Sequence, residues 1–413
     1  MTDSVTDRNA EVGGILDSLG ITTQRLLDFE HGIGRASVST VDKLEPVLMR
    51  PSRVRWPFTS LWRINLDTFD QDLRSALDAL GVGYCYMIRR KGIIVRVGSS
   101  GWAQLPNDGQ VAWRLHIPMN VGSVSKFVTA IATVRLLTSS DISPKSPIAA
   151  FLPQYWTQGA GIGAITFHDL LRHEAGLGGG ISGSGTGDFA EAKGEVSNGS
   201  TGTGTYNYKN VNFALLRVLF ATLTGTLSPA FTSPAYLGNL GISDDVLWDV
   251  VSASGYGKFV NENVFEPADI APRDFAADDS AAKAYATPPT APGSKIEDGA
   301  GGSGPSGWHL SIGELVRLLD RFRMGSMMRQ WRAQQLLSNM YGLDQPLPTN
   351  AGPVYVKGGR KQNGAQAMDS AIYLMPDDVD FAIFVNSWDG TQPGHLGTIP
   401  TLIQNNVEFV FAP

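Results

Sequence analysis

Residues 118–137 read Pro-Met-Asn-Val-Gly-Ser-Val-Ser-Lys-Phe-Val-Thr-Ala-Ile-Ala-Thr-Val-Arg-Leu-Leu. A small polar turn ends at Ser123. An apolar, helix-like run follows from Phe127, with Val128, Ile131, Ala132, Val134, Leu136 and Leu137 forming a broad apolar surface. The pattern predicts a helix with Ser123 at or near its N-terminus, where unpartnered backbone N–H groups and the positive end of the helix dipole point. Lys126 lies one turn on and on the same face, within reach of the Ser123 hydroxyl. A serine hydroxyl is a weak nucleophile until a neighbouring base takes its proton, and a lysine partly buried among apolar side chains can lose its charge and act as that base. Alone, Ser-x-x-Lys is a weak signal. It recurs at Ser280 and Lys283, in an Ala/Asp-rich run with no buried helix after it, and Ser123 also suits an ordinary helix N-cap.

The chain has 413 residues, enough for a large core and two or three structural units. With 42% hydrophobic residues, 17% charged residues and a net charge of −6, it carries no electrostatic footprint for nucleic acid or an anionic membrane. The single cysteine, Cys85, lies in an apolar run, reads as a core thiol and excludes an internal disulfide. No apolar stretch is long enough for a transmembrane helix. The opening MTDSVTDRNAEVGG lacks a basic segment followed by an apolar one, so a soluble, cytoplasmic protein is expected. The six histidines show no ligand spacing, so no metal and no cofactor are expected.

Residues 1–61 read as an N-terminal extension with two short amphipathic helices. From Leu66 the pattern predicts a helix, then a hairpin of strands 84–89 and 93–97. Thr166 suits the N-cap of a short helix over 167–173, with Gly176 as its stop and His168 and His173 as surface or capping residues. Residues 178–205, rich in Gly, Ser and Thr, fit either a flexible linker or a loop over the site. An amphipathic helix is expected over 213–223, helical and irregular chain over 224–295, and a helix over 312–323. Strand signals return in Val354-Tyr-Val-Lys-Gly-Gly, in Ala371–Met375 and in Phe381–Asn386, with a C-terminal helix over about 396–410. The expected fold class is α/β (α+β): an antiparallel sheet built from both ends of the domain, flanked by helices, with a mostly helical inserted region. That domain would span 62–413, with its sheet from about 62–115 and 350–413 and its helical region from about 120–345.

Seven pieces then fall in one order: Gly122-Ser-Val-Ser-Lys, Phe151-Leu-Pro, His168-Asp-Leu-Leu-Arg-His-Glu-Ala-Gly-Leu, Tyr208-Lys-Asn with Asn212-Phe-Ala-Leu-Leu, Asn261-Glu-Asn-Val-Phe-Glu-Pro, Gly299-Ala-Gly-Gly and Lys357-Gly-Gly. In this order the chain resembles the serine β-lactamase and penicillin-binding-protein superfamily over residues 66–413, in particular the class C β-lactamase-like branch with its family VIII-type esterases, D-aminopeptidases and acyltransferases. The resemblance implies Ser123 as the nucleophile of an acyl-enzyme, with Lys126 and Tyr208 sharing general-base and general-acid work. It implies Asn210 as a partner of Lys126 and the substrate, and Lys357 as a positive charge beside Tyr208 and a substrate carboxylate. The oxyanion hole would be the backbone N–H groups of Ser123 and of Arg360, just after Lys357-Gly358-Gly359. The box here is Lys-Gly-Gly rather than Lys-Thr-Gly, and lacks the hydroxyl that β-lactamases use for the β-lactam carboxylate. The Arg360 side chain either grips an acidic substrate group or points to solvent.

The expected function is a serine hydrolase or acyltransferase, an esterase or transacylase, acting on a small ester or amide. Two alternatives stand beside it: a β-lactamase or D-amino-acid peptidase with the same site, and a non-catalytic binding protein. An α/β-hydrolase is disfavoured because the chain has no Gly-x-Ser-x-Gly.

Overall fold

The computed structural model describes residues 62–78, 82–233, 238, 242–391 and 394–409. Residues 52–138 and 142–413 form one compact unit; of the other, residues 1–51 with 139–141, only the last three are described. The expected extension over 1–61 lies outside the described residues. In chain order the elements are β1 (Trp62–Ile64), α1 (Leu66–Asp78), β2 (Gly83–Arg90), β3 (Ile93–Gln104), β4 (Val111–Ala112), β5 (Met119–Asn120), α2 (Ser125–Ser139), α3 (Phe167–Leu171), α4 (Phe189–Asn198), α5 (Val211–Leu223), α6 (Asp244–Val260), β6 (Tyr285–Ala286), β7 (His309–Leu310), α7 (Ile312–Met324), α8 (Gln330–Ser338), β8 (Tyr355–Asn363), β9 (Gln366–Met375), β10 (Val379–Val385), β11 (Ser387–Trp388), α9 (Ile399–Asn405) and β12 (Val407–Phe409).

Strands from both ends of the unit make one sheet. β8 pairs with β9, β9 with β10, β10 with β2 and β2 with β3, all antiparallel. The β9–β10 connection is the Pro-Asp-Asp turn, where Asp377 and Asp378 both take positive φ. The register sets Phe381 between Tyr373 and Ile88, so every second side chain enters the same apolar layer. Phe69 and Leu73 of α1 and Ile399 and Ile403 of α9 close that layer, and Phe69 meets Phe381 edge-on at 5.5 Å. α7 packs on the opposite face against β10 and β2, and its Phe322 meets Phe127 of α2 at 5.2 Å. Between the two sheet halves lie α2 to α8, the inserted helical region. Among the described residues no helix is long and apolar enough to cross a membrane.

Several local expectations need correction. β8 does not end at its glycines but runs through them to Asn363, because β9 pairs with it along its whole length. The C-terminal helix is shorter than expected: α9 stops at Asn405 and the chain turns into β12, which pairs with β1. α3 has the expected Thr166 cap, a capping box with Asp169, but it stops at Leu171, and His173, not Gly176, is the first left-handed residue after it. α5 is buried on every side rather than amphipathic. Among the described strands one pairing is parallel: β11 runs alongside β6, from the inserted region.

Candidate active site

The turn Gly122–Val124 feeds directly into α2, which is buried on nearly all sides. Its close approach to β8 depends on two glycines. Gly122 has φ +51°, and a Cβ there would lie 2.9 Å from the Arg360 N. A Cβ on Gly359 would lie 2.8 Å from the Ser123 N and would run into the Val121 carbonyl. Two side chains lock this arrangement: Ser370 Oγ donates to the Val121 carbonyl (2.7 Å), and Asn120 Oδ1 accepts from the Gly122 N–H (2.9 Å). The backbone amides of Ser123 and Arg360 are therefore held on facing segments.

Lys126 is wholly buried. Its Nζ lies 3.1 Å from Ser123 Oγ, 2.7 Å from Asn210 Oδ1 and 3.0 Å from the Pro305 carbonyl. Burial lowers its pKa to about 8, assisted by the Lys357 cation and opposed by Tyr208. A neutral amine has two N–H groups; Asn210 Oδ1 and the Pro305 carbonyl take both, which turns the lone pair toward Ser123 Oγ. Tyr208 O–H donates to Ser123 Oγ at 2.7 Å. Burial pushes the phenol up, but the two lysine cations outweigh it and bring Tyr208 down to about 8. Both ammonium groups lie near its ring, Lys357 at 4.7 Å and Lys126 at 5.0 Å from the centre. Lys357 is as buried as Lys126, yet Tyr208 and the carboxylate of Asp344, 2.5 Å away, outweigh that burial and hold it protonated.

All eight residues singled out in the sequence come together here: Ser123, Lys126, Tyr208, Asn210, Lys357, Gly358, Gly359 and Arg360. Both readings of the Arg360 side chain need correction. Its guanidinium neither reaches for a substrate acid nor points freely to solvent, but makes a two-pronged pair with Asp369, its cross-strand neighbour, at 2.6 and 2.8 Å. Residues 178–205 are no structureless linker: they contain α4, and Ser184 lines the cavity. Lys209 Nζ holds the Ile181 and Gly183 carbonyls (both 2.6 Å), and Asn210 Nδ2 holds that of Gly185 (2.8 Å). Ser280 sits in an exposed turn on Asp278 while Lys283 reaches the Asp108 carbonyl, so the second Ser-x-x-Lys forms no site.

Sequence reasoning missed Asp344 and misplaced His173. Asp344 has no motif of its own; its only signal is an acid in the turn preceding the Lys357 strand. His173 is buried rather than at the surface, with its ring 4.4 Å from that of Tyr208 and its Nδ1 accepting from the Lys209 N–H at 3.4 Å. Burial holds it neutral, well below its ordinary value. Its place in the His168–Leu177 piece was the available signal. Ser123, Tyr208, Asp344 and Lys357–Arg360 line a cavity of about 530 Å³, with Lys126 and Asn210 behind its wall. They can activate a hydroxyl, receive its proton and present two amides to a developing oxyanion.

The family model described as Beta-lactamase matches residues 69–234. A putative penicillin-binding protein PbpX from Bacillus subtilis (strain 168) is 26% identical over 199 residues, 46% of this chain and 46% of that protein, so the match spans under half the relative's length. Among solved structures, FmtA from Staphylococcus aureus is similar with a TM-score of 0.60 at 14% identity, covering 91% of this chain and 98% of that one. The D-amino acid amidase from Ochrobactrum anthropi SV3 is similar with a TM-score of 0.58 at 14% identity, covering 82% and 96%. Over residues 69–234 the chain is thus similar to the Beta-lactamase family, and its fold is shared with solved β-lactamase-like and penicillin-binding-protein-like structures.

Proposed function

We propose that the protein is an esterase or transacylase that processes a small ester or amide through an acyl-enzyme on Ser123. The observation that carries this reading is the placement of Ser123 Oγ between the Tyr208 hydroxyl (2.7 Å) and the amine of a wholly buried lysine (3.1 Å). Lys126 takes the Ser123 proton as Oγ bonds to the substrate carbonyl carbon. The oxyanion forms between the Ser123 and Arg360 N–H groups. As the bond from the carbonyl carbon to the leaving oxygen or nitrogen breaks, Tyr208 gives that atom its proton and is reprotonated by Lys126. Water, an alcohol or an amine then repeats these steps in reverse and frees the acyl group. Lys357 stays charged throughout and holds down the proton affinity of both partners.

The test is intact-protein mass spectrometry and turnover with p-nitrophenyl acetate and butyrate, with Ser123→Ala as control. A penicillin and a D-amino acid amide run in parallel, and added amines report transacylation. An acyl adduct or turnover that vanishes in the variant supports the reading. Near-native rates in Ser123→Ala overturn it.

A further inference from the structure

The two cations nearest the cavity already have carboxylates. Lys357 Nζ meets Asp344 Oδ1 at 2.5 Å, and Asp344 Oδ2 accepts from the backbone N–H of Gly358 at 2.8 Å. A single carboxylate thus spans the lysine and the adjacent amide as an external acid would. Position 358 is a glycine and adds no hydroxyl to this cradle. Arg360 is paired through two nitrogens with Asp369. Lys357 is buried, but the Asp344 side chain is 34% exposed and lines the cavity, so its charge faces whatever enters. The neighbouring wall is apolar, formed by Val356, Tyr373, Leu396 and Pro400.

We propose that Asp344 is a specificity-determining residue: it occupies, on Lys357 and the Gly358 N–H, the position a substrate carboxylate would take, and the site therefore accepts acyl donors whose leaving group lacks a carboxylate and rejects those that carry one. An entering carboxylate meets a like charge and finds its two donors engaged, and both penalties oppose binding. Removing the Asp344 charge frees Lys357 and reverses the preference. The inference rests on the proposed Ser123 chemistry for its kinetic readout, but not for its binding readout.

Phenyl acetate and 3-carboxyphenyl acetate differ only by a carboxylate on the leaving group. In the native protein kcat/KM for the neutral ester is expected to exceed that for the anionic one at least tenfold. Asp344→Asn should shift the ratio at least tenfold toward the anionic ester, and Asp344→Glu should restore much of the native preference. Independently, benzoate is titrated by NMR into Ser123→Ala and into Ser123→Ala/Asp344→Asn. The double variant should bind at least tenfold more tightly, with affinity falling as salt rises. An unchanged ester ratio together with unchanged benzoate affinity overturns the proposal. Neutral-ester turnover that survives Ser123→Ala sinks the acyl-enzyme reading instead, and the benzoate titration still decides the role of Asp344.

Discussion

Replacing Lys357 by Met should move the pH dependence of turnover in the alkaline direction. The general base must be unprotonated to act, so kcat/KM rises with pH through the apparent pKa of the Lys126–Tyr208 pair, near 8 for both members. The Lys357 cation lowers the pKa of each, so its removal raises both. Its Nζ lies 4.7 Å from the centre of the Tyr208 ring. At an effective dielectric of about 20 that separation corresponds to ~3.5 kcal/mol, or ~2.6 pH units, as a ceiling. Asp344 compensates much of the charge, which brings the expected shift to about one unit or somewhat more. The assay is kcat/KM for a neutral p-nitrophenyl ester from pH 6 to 10, with the melting temperature followed across the range. An acid limb that moves up by roughly a unit, with a corresponding ~10-fold loss well below it, supports the electrostatic argument. A limb that stays in place while activity falls evenly would refute it and reduce Lys357 to a packing or substrate contact.

Gly359→Ala should reduce kcat by ~10²–10³, because the added Cβ forces the Ser123 and Arg360 amides apart; kcat and circular dichroism together separate this from unfolding. Trp308→Ala should cost ~3–5 kcal/mol by denaturant titration, since the indole is wholly buried against Phe265, Phe275 and Tyr256. Lys126 is neutral above about pH 8 in the folded protein, whereas an unfolded lysine keeps its proton to about 10.5. Between these values the unfolded chain binds the extra proton, so this residue makes stability rise with pH, by up to ~3 kcal/mol, and Lys126→Met should remove that rise in denaturant titrations at pH 8 and 10.

The parts of the molecule that could be read from sequence are those fixed by local pattern. The run after Ser123 announced a buried helix because its apolar residues cover too much of the circumference for a surface helix. The Pro-Asp-Asp turn and its flanking apolar runs announced the β9–β10 hairpin. Long-range pairing was less legible. Glycines in Lys357-Gly-Gly read as the end of a strand, but β9 supplies the hydrogen bonds that carry β8 past them to Asn363. The glycine-rich stretch hid α4 because its composition outweighed a short helix that begins with a good cap, Asp188. Arg360 could not be placed because its partner, Asp369, is a cross-strand neighbour set by register rather than by spacing. Asp344 escaped notice for the same reason: its role exists only once its turn folds against β8.

Two fully buried lysines share this pocket, and their different partners separate their roles. Lys357 faces a carboxylate and remains a fixed cation. Lys126 faces an amide oxygen and a peptide carbonyl, neutral acceptors that hold an amine without compelling it to stay charged. If this contrast makes Lys126 the base, its role can be erased by one nearly isosteric change. Asn210→Asp puts a carboxylate at 2.7 Å from Lys126 Nζ, which favours the ammonium form. Even after a large allowance for desolvation, a rise of ~2 units is expected, which at pH 8 corresponds to a ~50-fold loss of the free base and of turnover. The contact from Asn210 Nδ2 to the Gly185 carbonyl is lost in both Asn210→Asp and Asn210→Ala, so comparing the two isolates the charge. Asn210→Asp should be the slower enzyme at pH 8 and should recover toward Asn210→Ala as the pH approaches 10. Equal rates at every pH would mean that the protonation state of Lys126 does not govern turnover, and that the base lies elsewhere.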